Sequence, residues 1–163
     1  MVPEEVFAGL GDTAAAVLNH NKVLSNCITN QEIHSQYGGV VPELASRAHQ
    51  ANIIPVVEQA LKRAEVKQNQ LSAIAYTQGP GLLGSLLVGN SFAKSMAMGL
   101  NIPLIGINHM QAHILAHFID NKHQKIPSFP FIGVNVSGGH TQIMIVKNHF
   151  NMEIIGASID DAI

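Results

Sequence analysis

Residues 73–107 read strand, glycine-rich loop, helix, strand, and that alternation commits the chain to an α/β fold. Ala73-Ile74-Ala75-Tyr76-Thr77 is a short apolar run closed by Gln78-Gly79-Pro80-Gly81. Residues 82–99 then predict a helix in which Gly84, Ser85, Gly89, Ser91 and Ala93 let the backbone lie close against a sheet. Residues 103–107 predict the next strand and 109–119 a further helix. Strands joined through helices pair in parallel with right-handed crossovers.

The chain before this unit predicts a hairpin, with strands at 13–18 and 23–29 around the polar turn Asn19-His20-Asn21-Lys22. A loop at 34–41 carries Gly38-Gly39. Pro42 then opens a helix at its first turn, with Glu43 near the positive end. This helix is expected to reach about Arg63 and to kink at Pro55. After the polar stretch 120–128 the pattern changes to three successive strands, 131–136, 142–147 and 152–155, which predict a second sheet. The expected division is a first lobe over 1–127 and the beginning of a second over 128–163. The stop at Asp160-Asp161-Ala162-Ile163, where a helix should start, reads as truncation.

Composition narrows the function classes. Apolar residues make up 47% and charged residues 12%, enough to bury a core and too few charges for a disordered chain. A net charge of -2 with nine Lys plus Arg leaves no basic footprint for nucleic acid, so RNA contact requires local patches or a partner. Trp is absent and aromatics are sparse, which argues against a base-stacking platform. Cys27 has no cysteine partner, excluding an internal disulfide and a multi-thiolate metal site. The N-terminus shows no leader pattern and no apolar run approaches a membrane span. The expectation is a cytoplasmic protein without membrane contact.

Two stretches carry chemistry. His109-Met110-Gln111-Ala112-His113 puts two imidazoles four residues apart on one helical face, where both can reach one divalent ion. An ordinary pair of surface or packed histidines is the alternative. His117 continues the row but is turned away by the helical twist, and Met110 stands where a zinc protease would need its glutamate base. In Ser137-Gly138-Gly139-His140-Thr141, between two strands, consecutive glycines can turn backbone N–H groups toward an anion. A plain tight hairpin is the alternative there. Gln78-Gly79-Pro80-Gly81 could offer a helix N-terminus to an anion or could simply connect strand to helix.

Together, His34 to His49 (HSQYGGVVPELASRAH), Thr77 to Gly89 (TQGPGLLGSLLVG), HMQAH, VSGGHTQ and SIDDA occur in the order and approximate spacing of one family. From about Asp12 onward the chain resembles the tRNA N6-adenosine threonylcarbamoyltransferase family of the bacterial TsaD type, formerly labelled O-sialoglycoprotein endopeptidase. The resemblance implies the α/β fold of actin, hexokinase and Hsp70 (ASKHA, RNase H-like), with helices on a mixed sheet and the first strands of a second, truncated lobe. It implies transfer of a threonylcarbamoyl group from threonylcarbamoyl-adenylate to N6 of the adenosine beside the anticodon, in tRNAs reading codons that start with A.

In that reading His109 and His113 are ligands of one divalent metal ion, iron or zinc. Asn135, Val136, Ser137, Gly138 and Gly139 form the loop that touches the adenylate. No residue is assigned as catalytic. Glu43, Arg47 and His49 match the family's helix, where salt bridging and loop anchoring compete with a catalytic role. The implied partners are tRNA, the family's small paralogous subunit and its associated ATPase subunit.

Two departures stand out. The family's Glu-Thr-Ser-Cys-Asp-type motif is replaced by Phe7-Ala8-Gly9-Leu10-Gly11, so the first strand is expected to be weakened, the pattern resuming at Asp12-Thr13. The remaining metal ligand, an aspartate, lies beyond SIDDA in the family. The competing expectations are a non-catalytic interaction or dimerisation module and an inert remnant of a split gene.

Overall fold

The computed structural model describes residues 4–8, 12–29, 42–120, 125–137 and 140–158. These fall into two compact units, Met1–His109 and Met110–Ile163. The division expected at 127/128 from composition differs from this partition.

The first unit is built on a five-stranded sheet of order β3-β2-β1-β4-β5, with β1 Glu4–Ala8, β2 Thr13–Asn19, β3 Lys22–Thr29, β4 Ile74–Gly79 and β5 Leu104–Asn108. β1 pairs antiparallel with β2 and parallel with β4, and β4 pairs parallel with β5. The sheet is therefore mixed, as expected, and the strand–helix–strand segment pairs in parallel. The first strand is not lost: Val6 pairs with Ala15 on one side and Tyr76 on the other. Ladder bonds use backbone groups, so losing the family's polar side chains at this strand does not remove it from the sheet.

Helix α1 runs Pro42–Ala64, through Pro55 without interruption, and α2 runs Leu83–Leu100. Pro55 is exposed. α1 buries His49, Ile53, Val56, Val57, Ala60 and Leu61, a helical stripe laid on Ala15, Val17 and Cys27 of the hairpin. α2 buries Ser85, Gly89, Ala93 and Ala97, one small residue per turn. A Cβ on Gly84 would collide with the Ser46 hydroxyl, so the start of α2 lies against α1. Ser91, expected in the close-packed set, is exposed, since it sits off the i, i+4 row.

Both helices end through a left-handed residue, Glu65 (φ 58°) and Asn101 (φ 54°). Val66 N–H donates to the Leu61 carbonyl at 3.1 Å and Ile102 N–H to that of Ala97 at 3.1 Å. This is a Schellman-type cap, and Val66 and Ile102, the apolar residues just past it, pack on the core.

Among the described residues, two buried polar contacts tie α1 to the hairpin, one of them the Ser25 hydroxyl donating to the Ala60 carbonyl at 2.7 Å. Thr13 Oγ1 and His49 Nδ1 share a buried 2.8 Å hydrogen bond, and both residues are 0% exposed. His49→Leu should lower the unfolding free energy by about 1–3 kcal/mol, because the Thr13 hydroxyl stays buried without this partner. The check is a lower denaturant midpoint at unchanged slope. Adding Thr13→Val should recover part of the loss; no recovery would assign the loss to packing alone.

The second unit holds helix α3 His109–Leu115, apart from its first residue, and an antiparallel sheet of order β6-β7-β8: Phe131–Ser137, His140–Asn148 and Asn151–Ala157. The helix expected over 109–119 tightens into a 3-10 turn at Ala116–Phe118. Ile114, Met144 and Val146 form the core, flanked by Phe129, Phe131 and Met152. Phe118 stacks on Phe129 with ring centroids 5.1 Å apart. Lys147 Nζ donates to Glu153 at 2.7 Å across β7 and β8 and holds that carboxyl below its usual range; both groups are exposed, so the pair adds little stability.

Candidate functional site

In the second unit, strand alternation turns Phe131, Gly133 and Asn135 to one face of β6 and Ile132, Val134 and Val136 to the other, where they are exposed. The first face receives α3 at two points. A Cβ on Gly133 would stand 2.6 Å from Ile114 Cδ1, so any larger residue there obliges that side chain to shift. Two residues on, the Asn135 amide donates to the Met110 carbonyl at 3.2 Å, with Met110 Sδ at 3.9 Å. Two strand residues span about 6.8 Å, and the four helix residues from Met110 to Ile114 rise about 6 Å. The matched spacings lay α3 along β6.

This docking places the two histidines. Met110 and Ile114 are the buried row of α3, and His109 and His113 form the adjacent row, about 100° round the helix. His113 is exposed and His109 half-buried. Neutral imidazoles four residues apart suit zinc or ferrous iron as two ligands of a larger set. Among the described residues no group of three or more His, Cys, Asp or Glu could hold an ion. The two imidazoles thus fit the implied metal as a pair of ligands. His117 lies in the 3-10 turn, whose pitch departs from the α-helical row.

The glycine hairpin is framed by the pairing of Ser137 with His140. Gly138 and Gly139 lie outside the described residues. Val136 is 75% exposed, whereas Asn135 is 8% exposed and its side chain is committed to α3. Alternation along β6 turns the two side chains to opposite faces of the strand that leads into the hairpin.

The other expected residues lie elsewhere. Glu43 and Arg47 form an exposed i, i+4 ion pair at 2.7 Å, and His49 is the buried partner of Thr13. At the end of β4, ahead of α2, Gly79 adopts φ 151°, which favours glycine. The Gln78 side chain lies over Gly106 of β5, where a Cβ would stand 2.7 Å from its Oε1. Gln78 thus sits at the carboxyl ends of parallel strands, the usual site position of such sheets. The motif pattern alone did not single out Gly133, Gly106 or the Met110 carbonyl.

Comparison with known proteins adds family and fold. The family model described as TsaD: tRNA N6-adenosine threonylcarbamoyltransferase matches residues 22–163. A curated protein of the same description from Christiangramia forsetii is 64% identical over 152 residues, covering 93% of this chain and 45% of the relative. One from Riemerella anatipestifer is 62% identical over 151 residues, covering 93% and 44%. The chain therefore spans less than half the length of these relatives. Among solved structures, YeaZ from Pseudomonas aeruginosa superposes with a TM-score of 0.61 at 14% identity, over 99% of this chain and 69% of that one. A second, described as an uncharacterized protein with similarity to peptidase YEAZ from Pseudomonas aeruginosa, gives 0.58 at 16% identity, over 95% and 64%. At such identities the likeness shows the fold alone, and it agrees with the α/β class expected from the resemblance.

Proposed function

The chain belongs to the tRNA N6-adenosine threonylcarbamoyltransferase family, and from that membership we propose that it supplies one wall of a threonylcarbamoyl-transfer site. The reaction joins the carbamoyl carbon of threonylcarbamoyl-adenylate to N6 of the adenosine beside the anticodon, in tRNAs reading codons that start with A. The bonds broken are the one from that carbon to the phosphate oxygen and one N6–H bond, so AMP and a proton leave. The observation that carries the reading is that the matched residues include His109, His113 and the hairpin end at 136–141, with β6 docked on α3.

His109 and His113 would hold a divalent ion, iron or zinc. Bound there, the ion supplies Lewis-acid polarisation of a carbonyl or phosphate oxygen. The hairpin end, from Val136 and Ser137 through Gly138 and Gly139, would orient the adenylate through backbone groups, while Asn135 and Gly133 keep α3 in register beside it. Adenine N6 is a weak nucleophile, so holding the two substrates in line supplies much of the rate. tRNA, the small paralogous subunit and its ATPase subunit are the proposed partners, and the cytoplasm the proposed location. No helix among the described residues is long and apolar enough to cross a membrane.

A second reading, an interaction module, draws on exposed Ile54 of α1 and Leu83, Leu87 and Met98 of α2, which are 56%, 73%, 52% and 72% exposed. One reconstitution separates the two. The chain is charged with zinc or ferrous ion and mixed with threonylcarbamoyl-adenylate and unmodified tRNA, with and without the small paralogous subunit. Mass spectrometry should show the modified nucleoside beside the anticodon. Capture of the subunit with no modified nucleoside in either mixture would favour the module and sink the transfer reading.

A further inference from the structure

Asn135 belongs by sequence to the nucleotide hairpin and by structure to α3. Its side chain is nine-tenths buried, and the acceptor it meets is a backbone carbonyl, which can only accept, so the amide N–H₂ must face Met110. Met110 stands between the two histidines in sequence and anchors the buried row beside theirs. The packing of Ile114 over Gly133 and against Met144 and Val146 is apolar and nondirectional. Such packing tolerates some sliding or rolling of a helix on a strand, whereas a hydrogen bond weakens steeply when its angle opens. Asn135 is also the last described side chain on the inner face of β6, and its neighbour Val136 pairs with Thr141 where the hairpin begins.

We propose that Asn135 is a positioning residue that couples the histidine row of α3 to the hairpin end of β6 and β7, its side chain serving α3 and not the adenylate. Occupancy of one element then biases the other, and by linkage the influence is mutual. This rests on reading His113 as a metal ligand, and the test keeps the two ideas apart.

Zinc alone is titrated into the isotopically labelled full chain while backbone amide resonances are followed by NMR. In the wild-type chain the amides of His113, Val136 and Thr141 should shift together along one binding curve. In Asn135→Leu, close in size but without a donor, His113 should shift as before while the Val136 and Thr141 shifts are lost. Asn135→Ala serves the same purpose should the leucine variant lose its dispersed spectrum. Val136 and Thr141 shifts that persist in the folded variant, or that never occur in the wild type while His113 responds, would overturn the coupling and leave the metal reading intact. Absence of any His113 response would remove the metal reading and this proposal with it.

Discussion

Replacing His113 by alanine is expected to reduce threonylcarbamoyl transfer by about a hundredfold or more, since even residues that merely orient a metal ligand cost 10–100-fold when removed. His113 is exposed on α3, so the substitution deletes a donor without opening the core. Thermal unfolding should therefore be unchanged, while product formation on tRNA, measured in the same reconstitution, collapses. His113→Gln, which keeps bulk and polarity but is a poor ligand, should behave like alanine. Transfer at the wild-type rate in either variant would remove His113 from the mechanism, and a parallel loss of stability would make it a structural residue.

The second large effect falls on packing. Gly133→Val would drive a branched side chain into the space that Ile114 fills, where even a Cβ stands 2.6 Å from Ile114 Cδ1. Overpacking of this kind costs about 1–3 kcal/mol. Ile114 lies in the core cluster with Met144 and Val146, so the cost should fall on the second unit. Hydrogen exchange should quicken at the amides of α3 and β6 and stay unchanged at those of β2 and β4. Pairing Gly133→Val with Ile114→Ala should relieve the clash and restore part of the protection. Unchanged exchange in the single variant would mean that α3 does not lie on β6 as described.

Much of this architecture was legible in the residues. The βαβ pattern over 73–107, the hairpin around Asn19 to Lys22 and the three late strands follow from period and turn chemistry, and each forms, the first two in the five-stranded sheet and the last as a separate three-stranded sheet. The first strand, expected to be weakened, still pairs on both sides because that pairing uses backbone groups, whatever polar side chains a motif would have supplied. The length of the last helix differs from expectation for a definable reason. The helix at 109–119 shortens because the chain tightens at Ala116–Phe118, where Phe118 turns onto Phe129. Such a packing choice depends on residues distant in sequence.

The candidate site was legible as a list and not as an arrangement. Histidines four residues apart announce themselves, as does a double glycine between strands. That Asn135 turns away from its motif neighbours follows from strand alternation, but which group it meets depends on how α3 lies on the sheet. Gly133 illustrates the same limit: in the sequence it interrupts an apolar strand, and only the close approach of Ile114 gives it a reason.

The central claim, that α3 presents His109 and His113 as a joint metal-binding pair, is tested most directly by calorimetric titration of the full chain with zinc. The account predicts one ion per chain in the wild type, and loss of that binding in both His109→Ala and His113→Ala. One ion per chain retained in the double variant, or none bound by the wild type, would contradict it.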